Sequence, residues 1–149
     1  MKSKKHILRG FTLVEMALSI SILAIIFGMV GPLYRIFMVR NDLDVTVGSM
    51  VQGLRRAKML SVVADGDSVW GVHTATGSIL IYKGATFGTR DPSFDENTDI
   101  PTSISISGLT DVVFTKKTGI PQSTGTTTFT SITNETRNVT INQKGMVDY

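Results

Sequence analysis

Glu15 is an acid at the start of a run, Met16–Tyr34, that carries no charged side chain. An acidic side chain within a membrane costs about 2.5–3.5 kcal/mol on insertion scales, and such residues usually serve a function. The chemistry open to Glu15 is ion pairing with a cation that is withdrawn from water together with it, which makes a buried charge tolerable. A second group of oxygen donors is Asp91, Asp95, Glu96, Asn97 and Asp99. Asp95-x-Asn97-x-Asp99 imitates the opening of an EF-hand loop, but Ile100 stands where glycine should follow and no Glu closes the loop. A solvated acidic loop is expected there, with calcium on Asp95, Asn97 and Asp99 as the weaker alternative and no other cofactor. His6 and His73 are the only histidines and cysteine is absent, which leaves no metal tetrad or nucleophile–base pair to assemble. His73 reads as a plain surface or half-buried residue. No phosphate-loop or Gly-x-Ser-x-Gly motif is present, so the chain is not expected to be an enzyme.

The elements that position Glu15 follow from composition. The chain has 149 residues, 42% of them apolar and 18% charged, which suits one modest domain with its apolar excess concentrated in one place. That place is Met16–Tyr34, long enough as a helix to cross roughly 30 Å of hydrocarbon. Lys2, Lys4, Lys5 and Arg9 precede it with no acid among them, so the start should stay cytoplasmic and the remainder be exported. A cleaved secretory signal fits poorly, because Met29-Val30-Gly31-Pro32 is no small-x-small cleavage site. The basic pI belongs to this leader. From residue 64 onward acids outnumber bases, so nucleic acid is an unlikely partner; Lys116-Lys117 with Arg137 is the one local patch to consider.

Gly10-Phe11-Thr12-Leu13-Val14-Glu15, behind a short basic leader and ahead of a long apolar run, resembles the class III signal of type IV pilins and type II secretion pseudopilins. The resemblance implies that prepilin peptidase cuts between Gly10 and Phe11 and that Phe11 is then N-methylated. It implies that Glu15 serves assembly by pairing with the Phe11 amine of a neighbouring subunit. Pro32 matches a proline that these helices carry about twenty residues in, and its missing N–H and ring clash predict a kink there.

Beyond Tyr34, Leu43, Val47, Met50, Leu54 and Ala57 recur at helical spacing and predict an amphipathic stretch laid on a head domain. The turn signal Asp65-Gly66-Asp67 should end the helix near Val62–Ala64. Ser68–His73 and Ser78–Lys83 read as a hairpin, and Gly84–Pro101 as a long polar loop. Thr102–Ser107, Val112–Lys116, Thr126–Ile132 and Arg137–Asn142 read as further strands, with a last tight turn at Lys144-Gly145. The expected organisation is a leader (1–10), a transmembrane or filament-core helix (11–39), an amphipathic helix (40–63) and a β-rich head (64–149). Helix first and strands after mean an α+β, pilin-like fold, with an antiparallel sheet packed on the second half of the helix.

Within the head, Val69-Trp70-Gly71-Val72, Val113-Phe114, Gly119, Arg137-Asn138-Val139-Thr140-Ile141 and Lys144-Gly145-Met146-Val147 are similar to GspH/FimT-like minor pilins and pseudopilins. The absence of cysteine departs from major pilins, which often close their C-terminal region with a disulfide. The resemblance implies a structural filament subunit whose partners are other pilins or pseudopilins, prepilin peptidase, an inner-membrane platform protein and the membrane itself. Its place would be the cytoplasmic membrane, single-pass with the head outside, and then a periplasmic or extracellular filament. The alternative is a binding module at a filament tip, serving adhesion or DNA uptake.

Overall fold

The computed structural model describes residues 10–149, apart from the side chains of Val30, Pro32 and Leu33. Two compact units divide after Phe37, and one helix, α1 (Leu13–Val63), contributes to both. In the first unit every described residue from Phe11 to Phe37 is exposed, although most are apolar. The helix assignment continues through position 32. The kink expected at Pro32 rests on a side chain outside the described ones and stays a proposal.

The second unit, Met38–Tyr149, is built on the predicted stripe. Leu43, Val47, Met50, Leu54 and Ala57 are all buried, joined by Thr46, Val51 and Ser61. Their spacing of three and four keeps them on one face, and the β-rich part of the unit covers that face. The helix ends where the turn signal lies. Ala64 takes a left-handed conformation (φ 57°) and Gly66 another (φ 61°), and the Ala64 amide donates to the Ser61 carbonyl at 3.1 Å. Ser61 then staples the helix end to the first strand, accepting from the Trp70 amide at 3.0 Å.

Eight strands follow: β1 (Trp70–Ala75), β2 (Ser78–Lys83), β3 (Asp91–Asp99), β4 (Ser105–Gly108), β5 (Asp111–Phe114), β6 (Gly125–Thr130), β7 (Thr136–Ile141) and β8 (Val147–Asp148). They form not one sheet but two, both antiparallel, with orders β3-β2-β1-β5 and β4-β6-β7-β8. Trp70, Val72, Ile79, Ile81, Val112 and Phe114 of the first sheet share a core with Phe129, Val139 and Ile141 of the second and with the α1 stripe. Alternation along β1, β2 and β5 sends these residues inward and leaves Gly71, His73, Tyr82 and Asp111 on the opposite face.

The polar loop expected over Gly84–Pro101 is corrected: Asp91–Asp99 is a nine-residue edge strand paired with β2. Its acids and Pro92 argue against a strand by propensity. Cations from elsewhere offset that. Arg56 of α1 donates to Glu96 at 2.6 and 2.7 Å, and Arg90 donates to Asp95 at 2.9 Å. Charge and proline on an edge strand also discourage pairing with other chains.

The segment before β3 straps the outer face of the first sheet. The Phe87 ring stacks on His73 at 3.8 Å between centroids, and the Arg90 guanidinium lies 4.1 Å from the same ring. Tyr82 is fully buried beneath, with its ring over Gly71 and its hydroxyl donating to Asp111 at 2.8 Å. Burial and that carboxylate push the Tyr82 phenol well above its ordinary range. A Cβ at position 71 would stand 2.7 Å from the Tyr82 ring and 3.0 Å from the Val112 carbonyl oxygen, a backbone atom that cannot swing aside. Gly71→Ala should therefore destabilise the head by about 1–3 kcal/mol through overpacking, read as a lowered urea midpoint at unchanged m. An unchanged midpoint would show that the strap yields freely.

Candidate functional site

The site to examine is the start of α1. Helix α1 begins at Leu13, which makes Thr12 the residue ahead of the first turn and Glu15 the third residue within it. The Glu15 Oε2 accepts from the Thr12 amide and from the Thr12 hydroxyl, each at 2.9 Å, while the Glu15 amide donates to the Thr12 hydroxyl at 3.3 Å. This is a reciprocal capping box, which satisfies donors that a helix start leaves without intrahelical partners. The Thr-x-x-Glu spacing was available in the sequence as a helix-start signature, and Thr12 is the residue that reading Glu15 only as a charge overlooks.

Glu15 is exposed, and both of its accepted bonds go to one oxygen. Among the described residues Oε1 accepts none, so a cation can be taken there without dismantling the cap. The donors on Oε2 are neutral and leave the carboxylate charge uncompensated. The two serines further along donate back to the helix, Ser19 to the Glu15 carbonyl at 2.8 Å and Ser21 to the Ala17 carbonyl at 2.7 Å. Glu15 is the one charged residue between Phe11 and Tyr34, with capacity to spare.

Gly10 and Phe11 precede the cap in non-helical backbone, and Phe11 is 84% exposed. Among the described residues a Cβ at Gly10 would meet nothing within 4 Å. Residues 1–9 of the leader, His6 among them, lie outside the described residues. By length and composition α1 is able to cross a membrane.

The other predicted positions do not converge. Asp95, Asn97 and Asp99 lie at alternate positions of β3, not in a loop. The Asp95 carboxylate is held by Arg90, and Asn97 Nδ2 donates to Asp99 at 2.7 Å. Among the described residues no group of three or more His, Cys, Asp or Glu side chains is placed to hold a metal. His73 is half-buried against Phe87, with Nδ1 3.7 Å from Asp111. The basic patch of Lys116, Lys117 and Arg137 is not assembled: Arg137 pairs with Asp44, early in the docked helix, and Lys116 with Asp67, beyond its end. Lys116 holds the Asp67 carboxyl below the usual carboxylate range.

Comparison with known proteins bears on both parts of the chain. Residues 9–31 match the prokaryotic N-terminal methylation motif, which spans the glycine, the capping box and most of the apolar run. No curated protein matches the chain. Among solved structures, the minor pseudopilin EpsH from the type 2 secretion system of Vibrio cholerae is similar, with a TM-score of 0.53 at 11% identity. The likeness covers 72% of this chain and 94% of that one, and at this identity it is a likeness of fold.

Proposed function

From an N-terminal methylation motif joined to a minor-pseudopilin fold, we propose that this pilin-like chain is a structural subunit of a type IV pilus-like or type II secretion filament, and a minor one. The observation that carries the reading is the long apolar surface of α1 from Leu13 to Tyr34, exposed throughout its described residues and with a carboxylate in its first turn that has an unused oxygen. Such a surface suits two successive environments, lipid before assembly and neighbouring helices after it. The leader fixes the N-terminus on the cytoplasmic side and the head is exported. Prepilin peptidase removes residues 1–10, the new Phe11 amine is methylated, and a platform protein in the membrane passes the subunit to its neighbours. The work of the chain is assembly, without catalysis.

Processing is the first test. Mass spectrometry of the membrane-held protein should find a chain that begins with N-methylated Phe11. An intact Met1, or a cut beyond Gly31, would reject the reading. Gly10→Leu should leave the precursor uncut. Since a side chain at Gly10 meets nothing among the described residues, the loss would report contact with the peptidase.

A further inference from the structure

The end of α1 carries a second stripe, turned away from Leu54, Ala57 and Ser61. Arg55, Met59, Val62 and Val63 follow at helical spacing, and Met59 and Val63 are 68% and 74% exposed. Two loops extend it with Ile120 and Met146, both exposed. These residues are contiguous. Arg55, Met59 and Met146 line one recess of about 500 Å³, and Arg55, Met59 and Val63 line another of about 700 Å³. Gly119, beside Ile120, lies so close to Val62 that a Cβ there would stand 2.6 Å from its Cγ2. The loops are tied in place: Lys58 Nζ donates to the Lys144 and Gly145 carbonyls at 3.0 Å each, and the Lys117 amide donates to the Ser61 carbonyl at 2.8 Å. A contiguous apolar surface of this kind on a small head marks a contact with another molecule.

The rim is mainly basic, with Asp65 the one exposed carboxylate among the lining residues. Arg55, Lys117 and Lys144 are exposed, and among the described residues none has an ion-pair partner. Arg56 and Lys116, by contrast, are already paired with Glu96 and Asp67. We propose that this surface docks a segment of another filament subunit in which apolar side chains are flanked by carboxylates. The proposal rests on the filament-subunit reading above. Complementary charge fixes the register of such a segment and speeds its encounter, while the two methionines adapt to its shape. Nucleic acid fits less well, because exposed aliphatic side chains at the centre gain nothing against a phosphate backbone.

The test uses the full-length chain in cells that make the filament, with p-benzoylphenylalanine in place of Met59 and, as a control, in place of Ser107 on β4. The expected result is an adduct at position 59 and none at 107. Peptide sequencing should place it on an apolar segment of a different pilin-like subunit with Asp or Glu on both sides. Charge reversal by Arg55→Glu, Lys117→Glu and Lys144→Glu together should lower its yield at least tenfold without moving the thermal midpoint of the head, since all three side chains are exposed. Met59→Gln in a chain carrying the cross-linker at Met146 should weaken it as well. An adduct with a second copy of this chain, with nucleic acid or with no partner, while the subunit is present in filaments, would overturn the proposal. So would an unchanged yield after charge reversal. Absence of the unaltered chain from filaments would instead overturn the filament reading, and this proposal with it.

Discussion

Glu15→Ala should reach the membrane as well as the wild type, or slightly better, and then fail to enter filaments. In lipid the carboxylate is a cost that the change removes. On the proposed filament-subunit reading, the start of the helix is surrounded by others in the assembled bundle, and the methylated amine of a neighbouring Phe11 needs a counter-charge. Removing one partner of a buried pair costs about 3–5 kcal/mol, which at about 1.4 kcal/mol per decade suppresses incorporation by two to three decades. The geometry of the cap separates charge from capping. Glu15→Gln keeps an oxygen for the Thr12 amide and hydroxyl but has no charge, so it should fail to a lesser degree than Glu15→Ala. Thr12→Val keeps the charge and loses the cap, which costs about 0.5–2 kcal/mol and should lower incorporation by no more than about thirtyfold. The measurement is the ratio of filament-incorporated to membrane-held subunit for each variant. Equal incorporation of wild type and Glu15→Ala would remove the assembly role of Glu15. A defect in Thr12→Val as deep as that in Glu15→Ala would assign the role to the cap.

Removing residues 1–37 should leave a soluble, folded head, and removing residues 1–63 should destroy it. The first cut falls between the two compact units, and none of the described residues it takes away belongs to the buried core. The second removes Leu43, Val47, Met50 and Leu54 and uncovers Trp70, Val72, Phe114 and Phe129. Burial of a large apolar side chain contributes about 1.5–3 kcal/mol, so four of them rival the 5–15 kcal/mol that holds a whole domain together. Circular dichroism and size-exclusion chromatography should show a cooperative monomer for the first truncation and an aggregate for the second. A shorter chain that folds as well as the longer one would show that the sheets form without α1.

The site was largely legible because its signals are local. A charge-free run, an acid at its start and a glycine–aromatic junction occupy consecutive positions, and no distant contact is needed to read them. The Thr-x-x-Glu cap of Thr12 and Glu15 is an equally local signal. In the head, the α1 stripe was legible because the 3.6-residue period selects one face. The β1–β2 hairpin was legible because Gly77, at φ 89°, supplies the turn that few other residues adopt.

By itself the sequence determined the membrane-length apolar helix, the glycine–aromatic junction ahead of it, its amphipathic continuation and the order helix then strands, because periodicity and turn chemistry act within a few residues of each other. Only the tertiary structure decided that Asp91–Asp99 is a strand. Its own acids and proline oppose that conformation, and the Arg56 guanidinium that favours it comes from a helix about forty residues earlier in the chain. It likewise decided that the strands divide into two sheets, since β4 pairs with β6 rather than with β5, its neighbour in sequence. Which apolar residues at the end of α1 stay in water was settled in the same way. Met59 and Val63 are no less apolar than Met50 and Leu54. Burial went to the face that the two sheets could reach, and that depends on pairings between residues far apart in the chain.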